Sequence, residues 1–181
     1  EMFAVVTGAM RAVMMLVIPI MLLLGVGADV LIRCLFGEAF APATLSLGIL
    51  SAQFVLTYLA MMATICLTIL DRAWAIAAVS FAGILIDTVL NAVLVPRAAR
   101  WLGLGGASAG AATAQVLAEA FVAVALLGLI GARAFDRACV SSIGKAILCC
   151  LVVIGADALL RPLGPVRLAS DAALYVALAF I

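Results

Sequence analysis

The chain has 181 residues, 69% hydrophobic and 10% charged, with ten Lys or Arg against nine Asp or Glu, and its mean hydropathy is +1.43. Such a composition leaves too little polar surface for a water-soluble helical domain, and no nucleic-acid partner is expected. Five cysteines (Cys34, Cys66, Cys139, Cys149 and Cys150) form no Cys-x-x-Cys pair, and histidine is absent. Free thiols are therefore expected, and Ser-His, Cys-His and imidazole-metal chemistry are removed from consideration, so no enzyme, catalytic residue, metal or cofactor is expected.

A helix needs about 20 mostly apolar residues to cross roughly 30 Å of hydrocarbon. The first such window runs from Ala12 to Ile32 and holds Pro19 in its middle, where a missing N–H predicts a kink. The second, Ala43 to Leu70, contains no charged residue. A third runs from Trp74 to Val95. The Gly- and Ala-rich stretch around Gly103, Gly105, Gly106 and Gly110 leads into a fourth, Gly106 to Ile130, whose small residues suit close helix approach. A fifth covers Ile143 to Leu160, and a sixth starts at Leu168 and is still apolar at Ile181. The predicted fold class is all-α, a polytopic transmembrane bundle of about six helices forming a single domain over residues 1–181. A chain that opens on Glu1 and stops inside the apolar run from Ala172 reads as a fragment, and residues 1–32 carry no recognisable cleavable signal peptide.

Polar residues within these windows repeat at helical spacing. Ser46, Gln53, Thr57, Thr64 and Thr68 are separated by 7, 4, 7 and 4 positions; Ser80, Asp87 and Asn91 by 7 and 4; Ser108, Gln115 and Glu119 again by 7 and 4. At about 3.6 residues per turn each set falls on one face. Hydroxyls and amides in such stripes commonly hydrogen-bond to neighbouring helices. A carboxylate near mid-membrane costs on the order of 3 kcal/mol, so Asp87 and Glu119 must be protonated, paired or hydrated, and a wet lumen shared by the three helices would serve. Asp29 with Arg33 and Asp157 with Arg161 are i, i+4 pairs near helix ends and read as local neutralisation; the segments around them, GADVLIR and GADALLR, suggest a weak internal repeat. Arg11 and Lys145 stand at helix thresholds, as headgroup anchors or as phosphate contacts. Sorting the basic residues by side puts Arg11, Arg72, Arg133, Arg137 and Lys145 against Arg33, Arg97, Arg100, Arg161 and Arg167, a tie that leaves orientation open.

The stretch with Arg11, Pro19 and Leu35-Phe36-Gly37, then Ala39 to Leu70 ending in Asp71-Arg72, then Asn91 to Pro96, Gly105 to Ala114 and Glu119, resembles the C-terminal half of polysaccharide flippases. These belong to the multidrug, oligosaccharidyl-lipid and polysaccharide exporter superfamily. The resemblance implies one lobe of a two-lobed transporter in the bacterial cytoplasmic (inner) membrane, with the N-terminal lobe missing from this chain and Arg72, Arg133 and Arg137 on the cytoplasmic side. It further implies export of a lipid-linked oligosaccharide by alternating access, with Arg11 and Lys145 attracting phosphates, and Gln53, Thr57, Asn91 and Gln115 contacting sugar. Asp87 or Glu119 would bind a coupling proton or Na⁺. Flippase cavities of this family are strongly basic, whereas acids outnumber bases at mid-depth here. A proton- or Na⁺-coupled multidrug or metabolite antiporter of the same superfamily therefore stands as the alternative.

Overall fold

A computed structural model describes Gly8 and residues 17–130. Every element in that span is helical: α1 (Val17–Val26), α2 (Ala28–Phe36), a 3-10 segment (Glu38–Ala43), α3 (Thr44–Ile69), α4 (Ala73–Leu102) and α5 (Gly106–Ile130). Three helices are long and apolar enough to cross a membrane, those ending at Ile69, Leu102 and Ile130, and a fourth span would be formed if the bent pair α1–α2 counts as one. The expected fifth and sixth helices lie outside the described residues, as do Arg11, Arg133, Arg137, Lys145, the Asp157–Arg161 pair, Arg167 and three of the cysteines.

The first window is not the single helix read from the sequence. Its axis turns by 71° between Val26 and Ala28, at Gly27, while Pro19 sits inside α1. Gly27 adopts φ −87° and ψ 5°, in the bridge region at the edge of the helical well. The hydrogen bonds Gly27 N to Leu23 O (3.0 Å) and Leu31 N to Gly27 O (2.9 Å) carry the ladder across the bend. The second helical piece then continues to Phe36, beyond the expected end at Ile32.

The third window also extends past its expected end. Pro96 removes an N–H, yet α4 continues through it to Leu102, because the backbone beyond the proline is held against α5. A Cβ added at Gly110 would meet the Leu94 carbonyl at 2.8 Å and the Ala98 Cβ at 2.9 Å, and one at Gly106 would collide with the Ala98 carbonyl. Packing against glycine overrides the local proline cost, as membrane helices permit.

Both connections are set by backbone geometry. Between α3 and α4, Asp71 takes φ 58°, a left-handed conformation that Asp tolerates better than most residues, and the Arg72 guanidinium donates to the Leu129 carbonyl at 3.3 Å near the end of α5. Between α4 and α5, Gly103 (φ 63°) and Gly105 (φ 86°) supply positive φ, and Gly105 lies hard against Pro42.

α5 occupies the middle of the layer, packed on one flank by α3 and on the other by α4, which barely touch each other. Ala60, Ala63 and Leu67 of α3 bury against Ala123 and Leu126 of α5, with Ile76 and Val79 of α4 closing that end. The outer side of α4 leaves Phe81, Ile84 and Val89 exposed, an apolar surface suited to hydrocarbon.

Candidate functional site

The relative levels of the three helices follow from a few contacts. Ser46 Oγ donates to Ser108 Oγ at 2.8 Å, a bond between residues 62 positions apart, and Ser108 Oγ donates onward to the Gly105 carbonyl at 2.8 Å. Both serines sit in the first turns of their helices, so α3 and α5 run parallel. Because the two stripes share the spacing 7 then 4, the offset that aligns Ser46 with Ser108 also aligns Gln53 with Gln115 and Thr57 with Glu119. Each of these stays within about 20° of the line through the serine bond at 100° per residue.

α4 runs antiparallel to α5. Gly83 faces Val122, Leu94 faces Gly110 and Ala98 faces Gly106. Counting from Gly83 puts Asp87 level with Ala118, beside Glu119, and Asn91 level with Ala114, beside Gln115. Two tiers result: Thr57, Asp87 and Glu119 in one, and Gln53, Asn91 and Gln115 in the other, about 6 Å apart along the helices. The first tier lies at the midpoints of α3, α4 and α5. Asp87 and Asn91 are rotated about 40° and 80° from the Gly83 position that meets α5.

Burial agrees with a position at the margins of the helix interfaces. Ser46 is buried; Gln53, Asp87, Asn91, Gln115 and Glu119 are half-buried; Thr57 is exposed. Asn91 Nδ2 donates to Asp87 Oδ1 and to the Asp87 carbonyl, both at 3.0 Å. A hydrogen bond to an ionised group contributes about 1.5–3 kcal/mol, against on the order of 3 kcal/mol for a mid-membrane carboxylate. Asn91 therefore offsets a large part of the cost at Asp87 and leaves the rest to protonation, hydration or a cation. The four described arginines, Arg33, Arg72, Arg97 and Arg100, all belong to helix ends.

The other stripe residues behave differently. Thr64 and Thr68 donate to carbonyls of their own helix, Ala60 at 2.9 Å and Thr64 at 2.8 Å, and Thr88 and Thr113 do the same. Ser46 with Ser108 is a bond between helices, so the stripes are part packing device and part unclaimed polar edge. Ser80 is exposed.

Arg33 forms an ion pair with Glu38 at 3.1 Å, a contact not read from the sequence, which had offered Asp29 as its neighbour. Gly37, at φ 83°, turns the chain so that Glu38 returns to the arginine. Asp29 stands in the first turn of α2, where the helix dipole favours a carboxylate. Also missed was Ser51, which is 3% exposed, bonds to the Gly48 carbonyl at 2.7 Å, and packs where a Cβ on Gly25 would stand. The small pair Gly25 and Gly27 was the available signal. Cys34 is exposed and Cys66 buried, both as free thiols, and no cluster of three or more metal-ligating side chains occurs among the described residues.

No protein-family model, curated protein or solved structure matches the chain.

Proposed function

We propose that this chain forms part of a transporter that moves the polar head of a lipid-linked oligosaccharide across the bacterial cytoplasmic membrane by alternating access, breaking no bond. The supporting observation is the alignment of two polar tiers at mid-depth on three adjacent apolar helices, since polar groups that deep are costly unless a polar path uses them. In this reading Gln53, Asn91 and Gln115 exchange hydrogen bonds with sugar hydroxyls, Thr57 adds a hydroxyl at the neighbouring tier, and the polyprenyl tail stays in lipid. Arg11 and Lys145 attract the phosphates. Asp87, held by Asn91, or Glu119 takes up the coupling proton or Na⁺. The glycine-fastened α4–α5 hairpin moves as a unit, and the bend at Gly27 offers a hinge between helical halves.

The arrangement of charge favours a second reading, a cation-coupled antiporter: two carboxylates share the middle tier while the described arginines lie at helix ends. Full-length protein reconstituted in vesicles separates the two. The flippase reading predicts protected-leaflet delivery of a labelled polyprenyl-linked oligosaccharide, reduced about tenfold or more by Asp87→Asn with Glu119→Gln. Unchanged flipping in that double variant removes the acids from the mechanism. Gradient-driven uptake of a small organic cation, with no lipid flipping, replaces the flippase by the antiporter.

A further inference from the structure

We propose that Arg97, Arg100 and Trp101, at the C-terminal end of α4, form a binding site for the headgroup phosphate of an anionic phospholipid, separate from the polar tiers. The depth of the site follows from two indoles. Trp74 and Trp101 are 85% and 89% exposed near opposite ends of α4, and their separation of 27 positions along the helix spans about 40 Å. That matches the roughly 40–45 Å of a bilayer with its headgroup regions, so each indole falls at a headgroup level, where Trp is favoured.

Arg97 lies one turn below Trp101, and Arg100 three residues from Arg97, so the two guanidinium stems start about 5–6 Å apart on one face. Both arginines are exposed. The described carboxylate near this end that makes an ion pair, Glu38, is engaged by Arg33 at 3.1 Å, and neither Arg97 nor Arg100 has an acidic partner among the described residues. Two unclaimed planar forks at headgroup depth present charge and geometry complementary to a phosphate diester. Directly below them, at i−4 and i−8 from Arg97, Val93 and Val89 are 38% and 62% exposed, an apolar strip along which acyl chains can lie. Arg97 is rotated about 80° from Asp87 and about 120° from Asn91, away from the side of α4 that carries the tiers.

The test uses full-length protein in mild detergent, delipidated and then offered equal phosphatidylglycerol and phosphatidylcholine, with bound lipid read by native mass spectrometry at low salt. Wild type is expected to retain phosphatidylglycerol preferentially, and Arg97→Gln with Arg100→Gln to cut that preference by roughly fivefold per arginine. Arg97→Lys with Arg100→Lys keeps part of it, because the charge remains while the fork geometry is lost. Arg100→Gln alone provides the same readout at half scale if the double variant loses its native elution volume. Equal retention of the two lipids by wild type overturns the proposal, as does an undiminished preference in a folded double glutamine variant. Displacement of the lipid by inorganic phosphate at low millimolar concentration also overturns it, in favour of free phosphate.

Discussion

Gly110→Ala probes the contact that sets the level of α4 against α5. The new methyl would stand 2.8 Å from the Leu94 carbonyl oxygen and 2.9 Å from both the Val95 Cα and the Ala98 Cβ, whereas ordinary contact begins at 3.4 Å. Two of these three atoms are backbone, so relief requires the helices to part by about half an ångström, and overpacking of this kind costs about 1–3 kcal/mol. Alanine recovers about 0.5–1 kcal/mol through helix propensity. Gly128→Ala, in the same helix with nothing within 4 Å of the added Cβ, gains that propensity without the collision. The difference between the two variants isolates the contact. Thermal unfolding of the purified full-length protein, followed by Trp fluorescence, should place Gly110→Ala several degrees below Gly128→Ala, at about 2–4 °C per kcal/mol. A melting temperature for Gly110→Ala equal to or above that of Gly128→Ala would refute the close α4–α5 approach and, with it, the matching of Asp87 to Glu119.

The α3–α5 register is open to cross-linking. In a background without native cysteines, Ser46→Cys with Ser108→Cys should oxidise readily, since the two oxygens are 2.8 Å apart and a disulfide spans about 3.8 Å between Cβ atoms. Ser46→Cys with Gln115→Cys should not, and intact mass detects the loss of two hydrogens. Arg72→Gln removes the guanidinium bond to the Leu129 carbonyl at a helix end where a cation is favoured; a destabilisation of about 0.5–1 kcal/mol is expected by thermal unfolding, and an unchanged melting temperature would show that this cap contributes nothing.

The existence and extent of α3 and α5 are legible from hydropathy, and the 7-and-4 spacing of their polar residues is visible in the sequence alone. That spacing implied a face on each helix but not a partner for it. Residues such as Gln53 and Gln115 meet in level only because α3 and α5 run parallel at the offset fixed by Ser46 and Ser108. Glycine marked the α4–α5 turn correctly, since Gly103 and Gly105 need a φ that other residues adopt poorly.

α4 runs through Pro96, past its expected end at Val95. Proline states what a helix loses locally, whereas whether the chain bends depends on what the neighbouring helix returns. Gly110 and Gly106 bring α5 against the α4 backbone on both sides of Pro96, and the bend in the first window falls at Gly27, beyond the site where the side-chain-free Gly25 admits Ser51. By itself the sequence determined that the chain is helical and apolar enough to cross a membrane, and which residues share each face, because hydropathy and the helical repeat are local properties. Tertiary structure alone decided the order α3–α5–α4 and the direction and level of each helix, because these depend on contacts between segments distant along the chain, whereas the Arg33–Glu38 pair depends on the turn at Gly37.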